Sequence, residues 1–149
     1  MLHPQTVELM EYAKMAAAKV GLITNAYYLT LKKARRLLEA DVDMIECSVD
    51  AGNASIYRKV RPGLDWKIVV KNIKQAVSVR NKIKSRSKII VSIVNQKGVD
   101  VDDAKNFWRA IVDEVQVRKY LTWDIVKNKS ADQTPYLSPR DKIPCPHLF

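Results

Sequence analysis

Lys88-Ile89-Ile90-Val91-Ser92-Ile93-Val94-Asn95 decides the fold. Its near-continuous β-branched run suits a parallel strand covered on both faces better than the alternation of a half-exposed antiparallel one. Three more strands take their place around it. Gly21-Leu22-Ile23-Thr24-Asn25 reads as a short buried strand, Asp43 to Asp50 as a strand with a polar end, and Glu114 to Tyr120 as a fourth strand. Helical patterns separate them. Pro4 is placed as a helix-start residue, and Val7, Leu9, Met10, Tyr12, Ala13 and Ala17 continue the pattern until Gly21 stops it. Thr30 caps a second helix, in which Leu31, Ala34, Leu37 and Leu38 share a face. Asp50-Ala51-Gly52-Asn53 opens a short helix through Tyr57, and Arg61-Pro62-Gly63 breaks it before Asp65 starts a long one. Asp102 or Asp103 starts the last helix, through Phe107, Trp108, Ala110 and Ile111. The resulting order, α-β-α-β-α-β-α-β with no hairpin signal, predicts a parallel α/β sheet with right-handed crossovers.

Composition narrows the function classes. The chain has 149 residues, 47% hydrophobic and 28% charged, as expected of a globular domain with a real core. Its longest apolar runs, such as Met15 to Ala18 and Ala26 to Leu29, fall far short of the ~20 residues that cross a bilayer. The opening Met1-Leu2-His3-Pro4-Gln5 lacks a charged segment followed by an apolar one, so the expected location is cytoplasmic and no membrane partner is expected. Two cysteines, Cys47 and Cys145, complete no metal site by themselves. Cys47 reads as a small apolar residue packed under a helix, while Cys145 lies between Pro144 and Pro146. His3 and His147 have no nucleophile or metal partner at a useful spacing, and the four isolated glycines form no phosphate-binding loop.

The formal charge is +10, and one segment carries most of the excess. From Trp66 to Val99 there is no acid, against nine bases: Lys67, Lys71, Lys74, Arg80, Lys82, Lys84, Arg86, Lys88 and Lys97. Trp66, Val69, Val70, Ile73, Ala76 and Val77 form the apolar stripe of the long helix, which leaves Lys67, Lys71, Lys74 and Gln75 on the wet side. A basic face of this kind attracts nucleic acid or another anionic partner. No aromatic residues interleave with these bases, so a solvated outer helix is the expected reading of the 67–88 segment.

Ligands of parallel α/β folds sit at the carboxyl ends of the strands. The residues there are Thr24 and Asn25, Ser48 and Asp50, Asn95 and Gln96, and Lys119, Tyr120 and Trp123. Each strand thus ends in hydrogen-bonding side chains, suited to a polar, hydroxyl-rich ligand. For Ser48 and Asp50, a turn or helix cap is the other reading.

The order of these motifs resembles that of the radical S-adenosylmethionine (SAM) enzymes of the SPASM-containing type. The resemblance rests on Thr24-Asn25 after one strand, Ser48-Val49-Asp50 after the next, Tyr57 to Arg61 followed by Gly63 and Asn72-Ile73, and Pro144-Cys145-Pro146 near the end. It implies a partial parallel (β/α) barrel, with about four βα units of a six-stranded partial TIM barrel over residues 1–127. Residues 128–149, with Pro135, Pro139, Pro144 and Pro146, would be an extended tail leading to a SPASM-like region. It further implies that Ser48 and Asp50 hydrogen-bond the SAM ribose, that Asn95 and Gln96 lie near the ribose or substrate, and that the backbone at Tyr120 borders the adenine. Thr24 and Asn25 would face the cavity, Arg61 would be the family's arginine, and Cys145 would be an auxiliary-cluster ligand.

Ala26 stands where the family has glycine, and Ala51 where its Ser-x-Asp-Gly pattern ends, with Gly52 one residue late. The three-cysteine CxxxCxxC loop that fixes a [4Fe–4S] cluster, and the Gly-Gly-Glu motif that holds the SAM amino group, are absent. The expectation is therefore a part of a radical SAM core that binds neither SAM nor cluster stably alone and does not catalyse alone. Its expected partners are the missing N-terminal half and a peptide or small-molecule substrate, and an open sheet edge favours self-association. The alternative is a stand-alone basic α/β binding module for RNA or an anionic protein.

Overall fold

The computed structural model describes residues 3–16 and 19–120. Helix α1 (Thr6–Met15) leads to β1 (Gly21–Thr24), α2 (Leu31–Glu39), β2 (Met44–Ser48), α3 (Ala54–Val60) and α4 (Trp66–Ile83). Then come β3 (Lys88–Asn95), α5 (Val101–Arg109) and β4 (Glu114–Lys119). The strands form one parallel sheet in the order β1-β2-β3-β4. The strand order follows the chain order, so every right-handed crossover advances in the same direction and the helices fall on one face. A doubly wound sheet would reverse its order and cover both faces with helices. This singly wound, four-stranded arrangement is a partial parallel barrel wall, as the motif order implied.

Strand register sorts the side chains. Ile45 pairs with Ile89 and Cys47 with Val91, and these buried residues back onto the helices. Glu46 pairs with Ile90, Ser48 with Ser92, Ser92 with Gln116 and Val94 with Arg118, on the opposite, inner face. Glu46 and Ser92 are buried there, so the inner face combines polar side chains with Ile90. On the outer face α2 and α4 pack together over a core that includes Ala34, Leu37, Leu38, Val69, Ile73 and Ala76. The α1 helix joins through Arg36, which donates to Glu11 at 2.6 and 2.9 Å and to Glu8 at 2.8 Å.

Local signals account for most boundaries. Thr30, Asn53 and Asp65 accept from backbone N–H groups of Lys33, Ile56 and Lys67, and so cap α2, α3 and α4. Three expectations are corrected. The first helix ends at Met15, not at Gly21, because the Asp43 carboxylate takes the Val20 N–H at 2.7 Å while Val20 O accepts from Asp43 N. These bonds draw residue 20 alongside the start of β2, and Gly21 then opens β1 instead of closing α1. The last helix starts at Val101, because Asp100 caps it by accepting from Asp103 N at 3.0 Å; Asp102 and Asp103 occupy its first turn, where the helix dipole favours acids. Leu31, Leu9 and Tyr12 are exposed, leaving Ala34, Leu37 and Leu38 to bury α2 and Val7 to bury α1.

The long helix also buries a polar residue on its apolar stripe. Asn72 donates to Ala26 O and Tyr27 O, both at 2.9 Å, and so ties the turn after β1 to α4. That turn needs the tie, since Ala26 has φ 61°, a left-handed conformation that glycine adopts more readily. The displaced glycine has its own explanation: a Cβ on Gly52 would come within 2.8 Å of the Ala104 backbone. Ala51 is fully buried, and its carbonyl accepts from the buried Trp108 indole at 2.7 Å.

Candidate functional site

Two buried carboxylates on or just beyond β2 organise the strand ends. Asp50, at φ 61° just after β2, points one oxygen at the Val94 N–H (2.7 Å) and offers the other to Arg61. Arg61 Nε donates to Asp50 at 3.1 Å, while Nη2 donates to Asp50 and to Ser48 Oγ, the latter at 3.0 Å. Both carboxylate oxygens are therefore engaged, and Nη1 makes no bond among the described residues. Glu46, four residues earlier and on the inner face of β2, receives Arg118 Nη2 on both oxygens at 2.7 Å. The Arg118 Nε is buried and has no partner among the described residues.

These groups border a cleft of about 680 Å³ at the carboxyl ends of β2, β3 and β4. Asp50, Val60, Arg61, Val94, Gln96, Arg118, Lys119 and Tyr120 line it. Three of the residues expected at a site, Asp50, Gln96 and Tyr120, thus share one cavity, and Ser48 stands behind Arg61. Asn95 is exposed and does not line the cleft. Thr24 and Asn25 do not line it either: Thr24 Oγ1 accepts from Ala26 N and Asn25 Oδ1 from Tyr27 N, which shapes the turn after β1. Cys145 and Trp123 lie outside the described residues.

Sequence reasoning missed Arg118 and Glu46. Their signal was a charged residue within an otherwise apolar strand, Ile45-Glu46-Cys47, which only strand register connects to β4. Arg61 was read from the family turn, and its bonds to Ser48 and Asp50 give that turn a physical purpose.

A [4Fe–4S] cluster asks for three thiolates with room around them. Among the described residues, no group of three or more His, Cys, Asp or Glu is placed to hold a metal ion. Cys47 is fully buried in the sheet, where burial and then the neighbouring Glu46 charge push its thiol up to about 12. The described residues do not fit the cluster. They do fit SAM: the cleft has the volume of a cofactor pocket, with the Arg61 guanidinium, the Gln96 amide and the Tyr120 ring around it.

Elsewhere, Lys67, Lys71, Lys74 and Lys82 are exposed along one side of α4 and form no ion pair among the described residues. Among the described residues, no helix is long and apolar enough to cross a membrane.

No curated protein matches the chain. The family profile of the radical SAM superfamily matches residues 1–111, which include α1 through α5 and every strand but β4. By that match the chain belongs to the radical SAM superfamily, whose members use S-adenosylmethionine and a [4Fe–4S] cluster.

Proposed function

We propose that the cleft is the ribose, adenine and carboxylate side of a SAM site, and that the chain contributes this side and part of the substrate cavity to a radical SAM enzyme of the SPASM-containing type. The observation that carries the reading is the Ser48–Asp50–Arg61 unit at the rim of a cofactor-sized cleft. Asp50 holds Arg61 in place instead of reaching the ribose itself, because both its oxygens are taken. Arg61 meets the SAM carboxylate, Gln96 hydrogen-bonds the ribose, and the exposed ring of Tyr120 covers the adenine. When bound, SAM supplies the group that starts radical chemistry. The chain's own residues orient it and shield it from water.

In this reading the cluster thiolates come from a polypeptide bearing the three-cysteine loop, added along the free edge of β1, and the chain alone is inactive. Calorimetric titration of SAM into the 149-residue chain tests it. The missing cluster loop and Gly-Gly-Glu motif argue for no stable SAM binding by the chain alone; the donors of the cleft instead predict weak but measurable 1:1 binding, reduced about tenfold or more by Arg61→Gln, equivalent to ~1.4 kcal/mol or more. A folded chain that takes up no SAM would overturn it.

The lysine row on α4 favours a second reading, a basic module that docks RNA through its phosphates. Binding of an unstructured RNA would then weaken with salt, with a log–log slope of about −0.7 per lysine contact. A salt-independent or absent interaction removes this reading.

A further inference from the structure

The two arginines of the cleft are built alike. Arg61 is held by buried Asp50 and Arg118 by buried Glu46, and the two carboxylates stand four residues apart, one in β2 and one just after it. A buried ion pair contributes little net stability compared with apolar packing of the same volume. The inner face of β2 already tolerates apolar neighbours such as Ile90, so stability alone gives no reason for a buried glutamate there. What the pairing does achieve is orientation. Each guanidinium is fixed at one edge and lines the shared cavity with its Nη1 bonded to nothing among the described residues. A guanidinium held at one edge and unbonded at the other is oriented to donate to an incoming oxyanion.

The charges around the cavity point the same way. Asp50 is neutralised by Arg61 and Glu46 by Arg118, which leaves Lys119 as an uncompensated cation among the described lining residues. SAM presents one carboxylate, and Arg61 accounts for it in the function proposed above. We infer that Arg118, positioned by Glu46 and assisted by Lys119, anchors a second oxyanion, so that the substrate carries a carboxylate or a phosphate. The inference rests on the SAM reading for its assignment of Arg61, while the anion site at Arg118 can be measured without SAM.

The test uses the full 149-residue chain and two probes, glutarate for a carboxylate and inorganic pyrophosphate for a phosphate, each followed by calorimetry with and without SAM. Arg118→Gln strands Glu46 without its partner, so the double variant Glu46→Gln/Arg118→Gln, which removes the pair without a net charge change, is measured beside it and its fold checked by circular dichroism. The expected result is that at least one probe binds the wild-type chain, and that both variants weaken it tenfold or more while SAM binding changes less than threefold. Glutarate binding alone names a carboxylate substrate and pyrophosphate binding alone a phosphate. Arg61→Gln is expected to do the reverse, weakening SAM and sparing the probe. Failure of both probes to bind, or unchanged probe binding in the folded double variant, would overturn the inference. Probe binding lost at Arg118 in a chain that never binds SAM would retain the anion site and remove the SAM reading instead.

Discussion

The two ends of the sheet use the same residue types for opposite purposes. At the amino ends of the strands, Asp43 takes the Val20 N–H and Lys14, Asp113 takes the Ile89 N–H and Arg80, and Asp41 takes Arg86. There the acids close off backbone donors where the strands begin, and the bases complete the pairs. At the carboxyl ends, Asp50 and Glu46 are buried, and their arginines border a cavity with Nη1 unbonded among the described residues. An ion pair that finishes its hydrogen bonds holds the fold; one that leaves some unfinished can hold a ligand.

Gly52→Ala should break the ligand end hardest. The new methyl would meet the Ala104 backbone at 2.8 Å, which costs about 2–3 kcal/mol and displaces the segment just after Asp50. Urea denaturation should show the loss, and SAM affinity should fall with it. Asp113→Ala should injure only the other end. It leaves the Ile89 N–H and Arg80 without their acceptor, for about 2 kcal/mol, with SAM binding to the folded variant unchanged. A drop in SAM affinity there would mean that the two ends are coupled.

Acid sharpens the contrast. Lys14 beside Asp43, and Arg86 beside Asp41, hold these carboxyls below their usual range. At Asp113 burial pushes the carboxyl up, but Arg80, the Ile89 N–H and Lys88 together bring it below the usual value. A carboxyl depressed in the folded state binds its proton more readily when unfolded, so its stabilising effect is complete above about pH 5 and is lost as pH falls through the ordinary carboxyl range of about 4 and below. The urea midpoint should therefore decline between pH 5 and pH 3, and decline less in Asp113→Ala. The smallest effect is expected from Ala26→Gly. Relief of the left-handed alanine gains about 1 kcal/mol, and loss of its buried methyl costs about 0.8, so the urea midpoint should barely move.

The strands and their order were legible because each leaves a period or a cap in the chain, as Lys88–Asn95 and Asp65 do. Asp50, Gln96 and Tyr120 were legible as strand-end residues because position along a parallel strand predicts nearness to the cleft. Whether a side chain enters that cleft depends on sheet curvature and register, quantities that no local pattern carries. Thr24 and Asn25 spend their oxygens on the next turn, and Asn95 points away. The Glu46–Arg118 pair spans 72 residues and two strand pairings, so neither residue announces the other. The end of α1 was misread for a related reason, since a distant acid, Asp43, determines it.

The strand order that follows the chain order also has a kinetic meaning. Each strand's hydrogen-bonding neighbour is the strand made just before it, one helical crossover away, so no strand has to wait for a later one to be inserted beside it. Loop closures are short and can proceed in sequence, which keeps contact order low for a parallel sheet and lets the wall assemble one βα unit at a time as the chain is synthesised.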